Sequence, residues 1–245
     1  MSETTARQEG DAAALPPEVT RLFLEIAANG PKPNEGLKGP AKLLNFAREV
    51  PRRRRFMEAY SWSVPTPEAM QGIRNFVGDR KLLEVGAGSG LWAYLLGAYG
   101  VLVTATDDYT WMEHEVAPGK KAVLPSGFSV PMGKYFPIEP LEVGQAVAKY
   151  AGHQALLLAW PPPDRPMGHR ALSAFEGDRF IFVSDRNCTA DEAFYQELAL
   201  RWNLQDTIEI PQWPTIHDEV YLYSRKFQTS RSPVLRRPNP HLTSI

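Results

Sequence analysis

Three glycines at alternate positions, Gly86, Gly88 and Gly90, constrain the fold of this chain more than any other feature of its sequence. They directly follow the apolar run 81–85 (KLLEV) and precede a stretch with the apolar spacing of a helix. Alternating glycines let the chain turn sharply, and they leave backbone N–H groups that a ligand can approach without meeting a Cβ atom. We therefore expect a strand, a ligand-binding turn and a helix. A tight turn without a ligand is the alternative.

Four apolar segments have the composition of buried strands and alternate with helical patterns. Strands that are apolar throughout must be covered on both faces, which is typical of a mostly parallel sheet between two helix layers. We predict a doubly wound α/β fold with helices on both faces of the sheet, closed by an antiparallel pair of strands. The four segments are 81–85, 101–106, 155–160 and 179–184, and the closing pair is 205–210 and 219–224.

Two threonines stand at predicted helix starts. Thr66 precedes Pro67 and an acid, which places a hydroxyl at the N-cap of a helix. Thr189 stands three residues before Glu192, the spacing of a capping box. The sequence therefore predicts that both hydroxyls cap helices.

The 22 prolines are unevenly placed and outline the regions of the chain. None occurs between Pro67 and Pro118 or between Pro166 and Pro211, where uninterrupted helices and central strands can lie. We predict a disordered N-terminus over 1–17 and a helical lead-in, which can act as a lid, over 18–80. The ligand-binding α/β domain spans 81–227 and includes a long loop over 109–141. A flexible C-terminal tail follows over 228–245.

Charge and composition exclude several classes of protein. The net charge of −1 excludes a uniformly basic nucleic-acid binder. The single cysteine, Cys188, excludes an internal disulfide and a cysteine-based metal cluster, and we expect it to be buried. No metal site is predicted, because the neighbouring side chains of 113–115 (EHE) diverge. Without a long apolar run or a signal-peptide pattern, we expect a soluble, intracellular, cytoplasmic protein.

An acid at the end of the second predicted strand supplies a second indication of nucleotide-like binding. Asp107 lies 17 residues after Gly90, where a carboxylate can reach the hydroxyls of a ribose. Asp108 is the nearest alternative for this role, and simple surface solvation is the other. A dinucleotide fingerprint does not fit, because Leu91 stands where the third glycine would be.

The glycine loop preceded by Glu84 resembles the first motif of the class I S-adenosylmethionine (SAM)-dependent methyltransferases. The resemblance extends over roughly residues 82–224 and implies a seven-stranded, Rossmann-like sheet with SAM as the cofactor. Carried over to this sequence, it implies that the cofactor is bound by Glu84, Gly86, Ala87, Gly88, Gly90 and Asp107 or Asp108.

Aromatic residues outside the loop resemble those of an uncharacterised methyltransferase-like group. The shared features are a Tyr60-x-Trp62-x-x-Pro65 box, Trp92 after the glycine loop, and the sequence Trp-Pro-Pro at residue 160. The segment before the first strand folds over the cofactor in class I enzymes. The resemblance therefore implies that Tyr60 and Trp62 cover SAM, with helix packing as the alternative for this pair.

The segment that follows the 155–160 strand resembles the fourth motif of amino-methyltransferases, which reads Asn/Asp/Ser-Pro-Pro-aromatic. It departs from the motif twice, because Trp160 occupies the polar position and Pro163 the aromatic one. We predict that Trp160 orients the acceptor, or else forms a rigid strand exit. Asp164 and His169 are the other predicted catalytic residues, and His169 is the candidate general base.

The sequence therefore predicts a SAM-dependent methyltransferase that acts on a small-molecule acceptor. A nucleic-acid amino-methyltransferase is the first alternative, with the run 52–55 (RRRR) contacting phosphates, although such a run is most often a solvated face. A SAM-binding scaffold without turnover is the second. The sequence leaves the acceptor and the oligomeric state open.

Overall fold

The computed structural model describes residues 14–32, 38–109, 121–123 and 129–226, of which 121–123 and 129–131 are described by their backbone alone. Residues 1–13, the tail 228–245 and the parts 110–120 and 124–128 of the long loop lie outside this part of the chain, so the predictions of disorder at the two ends stay predictions. Within the predicted disordered segment, however, helix α1 already begins at Pro17, and Leu15 packs against the core.

Seven helices and eight strands make up the described residues. None of these helices combines the length and the apolar sequence that crossing a membrane requires. In chain order the elements are α1 (Pro17–Asn29), α2 (Gly39–Ala59), α3 (Pro67–Val77), β1 (Lys81–Val85), α4 (Leu91–Ala98), β2 (Leu102–Thr106), β3 (Lys121–Val123), β4 (Ser129–Pro131), α5 (Val143–Lys149), β5 (Ala155–Ala159), α6 (Met167–Ala174), β6 (Arg179–Ser184), α7 (Glu192–Arg201), β7 (Trp202–Glu209) and β8 (Glu219–Arg225).

Six of the strands form one sheet in the order β2-β1-β5-β6-β8-β7. The first four run parallel, β8 pairs antiparallel with β6, and β7 pairs antiparallel with β8. This arrangement confirms the predicted parallel sheet with a late antiparallel pair. Because β8 runs in the opposite direction, its first residue lies at the same edge of the sheet as the carboxyl ends of β1, β5 and β6.

The described residues do not include a seventh strand of this sheet. Beside β2, the place of a further strand is taken by Glu139 alone, which donates its N–H to the carbonyl of Ala105 over 3.0 Å and accepts from the N–H of Asp107 over 3.2 Å. Pro137 and Pro140 flank this residue. Alternate residues bond to β2 in this register, and Pro137 has no N–H to donate, so the ladder cannot extend toward the N-terminus from Glu139.

Both faces of the sheet are covered, as its apolar strands require. Successive residues of β1, β5 and β6 contribute to two separate apolar clusters. Helices α1, α3 and α4 pack on the face that includes Leu82, Leu157 and Ile181. Helices α5, α6 and α7 pack on the opposite face, and all of the functional elements described below lie at the carboxyl edge between these layers.

One of the two predicted helix caps is confirmed. The hydroxyl oxygen of Thr66 accepts a hydrogen bond from the N–H of Ala69 over 3.1 Å at the start of α3. The predicted capping box at Thr189 is wrong, because Asp191 is the N-cap of α7 and accepts from the N–H of Phe194 over 2.8 Å. The Thr189 hydroxyl instead donates to the carbonyl of the residue four positions earlier.

Candidate functional site

The glycine loop, residues 86–90, connects the carboxyl end of β1 to α4. The N–H groups of Gly86 and Ala87 both donate to the carbonyl oxygen of Thr106, over 2.9 and 3.1 Å, which fixes the start of the loop against β2. The hydroxyl of Ser89 donates to the carbonyl of Tyr60 over 2.5 Å. The loop is therefore held from below by the sheet and from the side by the helical lead-in.

The glycines of this loop are required for different reasons. Gly88 and Gly90 both have left-handed backbones, with φ of 54° and 75°. A Cβ atom at Gly90 would lie 3.0 and 3.1 Å from the backbone N and O of Phe136, so packing excludes a side chain there. A Cβ atom at Gly88 would have no neighbour within 4 Å apart from the adjacent residues. The space that a ligand could use is therefore at Gly88.

Asp107 supports the open part of the loop. Its side chain is buried, and its carboxylate accepts from the N–H of Gly88 over 2.8 Å and from the N–H of Tyr109 over 2.7 Å. The carboxylate thus has a structural role in addition to the ribose contact that the sequence predicts. Asp108 is half-buried and points to the same region from the next position.

Glu84 lies in β1, two residues before the loop, and is 1% exposed. Burial raises the pKa of its carboxyl to about 8, an effect that the charge of Asp107 increases and the backbone N–H of Ala93 opposes. Its Oε2 atom has no hydrogen-bond partner in the described structure. A buried carboxyl with an unpaired oxygen is costly, and a cationic group of a ligand would compensate it.

Two cavities meet at the glycine loop. The first, of about 230 Å³, lies between the loop, the 60–63 segment and the exit of β5. The second, of about 340 Å³, lies on the other side of Gly86, toward Asp108 and the starts of α5 and α6. The two cavities share four lining residues: Gly86, Asp107, Pro162 and Met167.

The first cavity brings together most of the residues that the sequence predicts for the site. These residues are Tyr60, Trp62, Glu84, Gly86, Ala87, Gly88, Asp107 and Trp160. Gly90, Asp164 and His169 line neither cavity. Asp164 is exposed, and His169 is a half-buried residue of α6. The catalytic roles of Asp164 and His169 stay predictions that no contact with these cavities supports.

Trp160 follows β5 with a left-handed backbone, at φ 55°. Such a conformation costs an aromatic residue about 1–2 kcal/mol and persists only where its surroundings hold it. The N–H of Trp160 donates to the carbonyl of Val183 over 3.0 Å, and the carbonyl of Pro161 accepts from the N–H of Ala190 over 2.9 Å. Hydrogen bonds on both sides therefore fix the strand exit.

The ring of Trp160 is in contact with three other side chains. It stacks on Trp62, with ring centroids 5.6 Å apart and an interplanar angle of 22°. Its Nε1–H donates to Oδ1 of Asp218 over 2.9 Å. The guanidinium carbon of Arg53 lies 5.2 Å from the ring centroid, within the range of a cation–π interaction.

Asp218 is a residue that the sequence analysis missed. It lies immediately before β8 and is fully buried. Burial raises the pKa of its carboxyl to about 7, although the hydrogen bond from Trp160 and the charge of Arg53 both act to lower this pKa. Its Oδ2 atom has no partner in the described structure. The signal available in the sequence was an acid directly before an apolar strand whose first residue lies at the ligand edge of the sheet.

The two aromatic residues before β1 differ in their surroundings. The ring of Tyr60 is 9% exposed and packs against Phe56 with centroids 4.9 Å apart, while its hydroxyl accepts from Asn29 over 3.3 Å. Trp62 is half-buried against Trp160. The Tyr60 ring therefore packs on α2 and also lines the first cavity, whereas Trp62 lines the cavity against Trp160.

The arginine run of α2 does not form one solvated face. Arg52 pairs with buried Glu49 over 2.6 Å and donates to the carbonyl of Gly30 over 2.8 Å, which ties α2 to the end of α1. Arg54 pairs with Glu58 over 3.3 Å. Two of the four arginines are thus held by acids within the chain.

Two further expectations can be compared with the structure. The prediction that Cys188 is buried is wrong: it is exposed and lines the first cavity, because it lies in the loop between β6 and α7 rather than in an apolar layer. Among the described residues, no group of three or more His, Cys, Asp or Glu side chains could hold a metal ion. The 113–115 segment lies outside the described residues.

No protein-family model and no curated protein matches the chain. Several solved structures are similar to parts of it. The protein 1320 of Thermoplasma acidophilum is 16% identical, with 72% of this chain and 94% of that chain covered and a TM-score of 0.39. A putative SAM-dependent methyltransferase from Streptococcus mutans is 9% identical, with 66% and 49% covered and a TM-score of 0.41, so the match spans about half of that protein.

The N-methyltransferase NodS from Bradyrhizobium japonicum is 11% identical, with 66% of this chain and 96% of that chain covered and a TM-score of 0.40. Proteins described as methyltransferases thus occur among the structures that this chain resembles. Because these identities are at most 16% and these TM-scores at most 0.41, the likeness carries no argument about activity. The function has to be argued from the geometry of the site.

Proposed function

We propose that this chain is a SAM-dependent methyltransferase that holds SAM across the two cavities and methylates a small-molecule acceptor. The observation that carries the proposal is the composition of the first cavity. It joins three features in one space: the open backbone at Gly88, the buried carboxyl of Glu84 with its unpartnered Oε2 atom, and the aromatic exit at Trp160. A ligand with a cationic end, next to an acceptor held by an aromatic wall, suits this combination.

The residues present fit SAM in size and in chemistry. Together the cavities reach the range of about 300–1,000 Å³ that small-molecule sites occupy. The absence of neighbours around a Cβ at Gly88 leaves the loop backbone free for close approach. The orphaned oxygen of Glu84 can receive the positively charged end of the cofactor.

Each side chain then has a definite task. Glu84 compensates positive charge, Asp107 keeps the loop in shape and, with Asp108 as the alternative, binds ribose hydroxyls. Tyr60 and Trp62 cover the site, and Trp160 orients the acceptor. Bound SAM supplies an activated methyl group, so the protein mainly contributes proximity, orientation and exclusion of water. Gly86 and Ala87 line the cofactor end of the first cavity, while Gly90 allows the turn that shapes the loop and lines neither cavity.

The first cavity favours a small acceptor, since about 230 Å³ is shared between part of the cofactor and the acceptor. The alternative of a nucleic-acid acceptor receives no support from the arginine run, because Arg52 and Arg54 are paired with acids. The lead-in 18–80 would close the site over the α/β domain 81–227.

Calorimetry and thermal unfolding with SAM and S-adenosylhomocysteine (SAH) test the proposal. Ligand at about 100 times its Kd should stabilise the fold by about 2.7 kcal/mol. For a chain of this size that is a rise in Tm of about 5–10 °C. No heat and no Tm shift at millimolar SAM and SAH would contradict it, and a shift with NAD instead would show a dinucleotide site.

Methyl transfer separates an enzyme from a binding scaffold. Isotope-labelled SAM, protein and a cell extract divided into small-molecule, RNA and DNA fractions should yield label in the small-molecule fraction. Label in RNA or DNA, with binding that weakens steeply as salt rises, would favour the nucleic-acid alternative. SAM binding without transfer to any fraction would indicate the scaffold.

A further inference from the structure

The acceptor end of the first cavity depends on residues that do not touch the cavity. Trp160 is the wall residue there, and both Arg53 and Asp218 contact its ring. Neither Arg53 nor Asp218 is among the residues that line the cavity. The contact of both residues with the wall of the cavity is therefore made through the Trp160 ring.

The unpaired polar atoms of the two residues support the same conclusion. Nε and Nη2 of Arg53 and Oδ2 of Asp218 are buried, and none has a hydrogen-bond partner in the described structure. Their burial prevents direct contact with a molecule in the cavity. Oδ1 of Asp218 accepts the hydrogen bond from the Trp160 indole, which is a charge-assisted bond when Asp218 is ionised.

Asp218 is itself held in place. Its carbonyl accepts from the side-chain amide of Gln212 over 3.2 Å, and the N–H of the preceding His217 donates to the buried carboxylate of Asp185 over 2.8 Å. Asp185 also accepts from the backbone N–H of Asn187 over 2.9 Å. The Asp218 carboxylate is thus a fixed point on the sheet edge, 58 residues away from Trp160 along the chain.

We propose that Asp218, supported by Arg53, is a positioning residue that holds the Trp160 ring in the wall of the acceptor end. Backbone hydrogen bonds hold the left-handed conformation of Trp160, whereas the orientation of its ring depends on side-chain contacts. Asp218 fixes the edge of the ring, while Arg53 and Trp62 contact it as well. The claim that the Trp160 ring forms part of an acceptor site rests on the proposed function. The claim that Asp218 holds the ring in place does not depend on it.

Indole N–H resonances in a ¹H–¹⁵N spectrum of the full chain test this inference. The Trp160 peak is identified by its loss in Trp160→Phe. Trp92, Trp202 and Trp213 serve as internal controls, because their indole nitrogens are buried without a partner. In Asp218→Asn we expect the Trp160 peak to shift upfield and its hydrogen exchange to accelerate about tenfold, as the charge-assisted bond is lost. The control peaks should stay in place.

Arg53 provides a second variant and a conservative rescue. Arg53→Ala should move the Trp160 peak in the same direction but less than Asp218→Asn, whereas Arg53→Lys keeps the charge and should restore most of the wild-type position. If the control peaks converge to one position in Asp218→Asn, the protein has lost its fold, and the comparison of Arg53→Ala with Arg53→Lys then tests the inference. An unmoved Trp160 peak in every folded variant would overturn the inference.

SAH titrations of the same proteins distinguish this inference from the proposed function. We expect Asp218→Asn to bind SAH within about twofold of the wild type, because the changed wall lies at the other end of the cavity. If wild-type protein does not bind SAH, the proposed function fails, while the indole spectra still decide whether Asp218 holds Trp160. A loss of SAH affinity as large as the loss in a glycine-loop variant would place Trp160 at the cofactor end and overturn the positioning role at the acceptor end.

Discussion

The two ends of the first cavity are built in different ways. At the glycine loop, the shape is set by backbone hydrogen bonds and by the Asp107 carboxylate, which come from two adjacent strands and their turns. At Trp160, the shape is set by side chains from α2, from the segment before α3 and from the residue before β8. The first end is thus a product of local chain geometry, and the second is a product of tertiary assembly.

Each end also has one buried carboxyl with a raised pKa. The pKa of Glu84 is about 8 and that of Asp218 about 7, and burial is the main cause in both. Each carboxyl also has one oxygen without a partner in the described structure, Oε2 of Glu84 and Oδ2 of Asp218. Each carboxyl receives a hydrogen bond, Glu84 from the backbone of Ala93 and Asp218 from the indole of Trp160. The two carboxyls differ in the charges beside them: the charge of Arg53 opposes the rise in the pKa of Asp218, whereas the charge of Asp107 adds to the rise in the pKa of Glu84.

The largest effect is expected at Gly88, and Gly39 is its matched control. Both residues have left-handed backbones, at φ 54° and 53°, and a Cβ at either would have no neighbour within 4 Å. Gly88→Val and Gly39→Val should therefore cost similar backbone strain, about 1–2 kcal/mol or more. Only Gly88→Val should weaken SAH binding in calorimetry, by about a hundredfold or more. Equal affinities in the two variants would show that the ligand does not approach the loop.

Asp107 and Asp108 distinguish support of the loop from contact with the ribose. Asp107→Ala removes the acceptor for two backbone N–H groups, so the free energy of unfolding should fall by about 1–3 kcal/mol and SAH affinity by about tenfold to a hundredfold. Asp108→Ala should leave the Tm nearly unchanged. An Asp107→Ala variant with normal Tm and normal affinity would remove this residue from the site, and a selective loss of affinity in Asp108→Ala would assign the ribose contact to Asp108.

The raised pKa of Glu84 predicts a pH-dependent affinity of smaller size. The carboxyl is protonated in the free protein below about pH 8 and must ionise to receive a cationic group, so binding releases a proton. SAM affinity should therefore rise with pH between about 6 and 7.5, by at most about tenfold per pH unit. Calorimetry in buffers of different ionisation enthalpy measures the released proton. Glu84→Gln should show no such release, and an unchanged slope in that variant would exclude Glu84 as the source.

The smallest effects are expected at Asp164 and His169. Neither lines the two cavities, and Asp164 is exposed. Asp164→Asn and His169→Asn should therefore leave SAH affinity and Tm near the wild-type values, and they should change the rate of labelled methyl transfer by less than about twofold. A large rate loss that grows at low pH in His169→Asn relative to wild type would restore the general-base role predicted from the sequence.

Much of the fold could be predicted from the sequence because its signals are local. The apolar runs of β1, β5 and β6, the Thr66 cap and the glycine loop each depend on neighbours within a few residues. The two errors in the predicted fold, the helix cap at Thr189 and the seventh strand, also have local physical causes. Thr189 has the spacing of a capping box, but its hydroxyl bonds to an earlier carbonyl, and Asp191 caps the helix. At Glu139 a further strand is reduced to one bridge, and Pro137 removes the donor of the preceding ladder position.

By itself, the sequence determined the strand, loop and helix around Gly88, because backbone sterics and the absence of a Cβ act within a few residues. It also marked Glu84 and Asp107 by their distance from that loop. Only the tertiary structure decided that Arg53 and Asp218 meet at Trp160. Arg53 lies on a helix that contains Pro51, which weakens any helical signal in that segment, and Asp218 reaches Trp160 only because β8 reverses direction beside β6. Contacts between such distant segments follow from packing and pairing of the whole sheet, which no short stretch of sequence encodes.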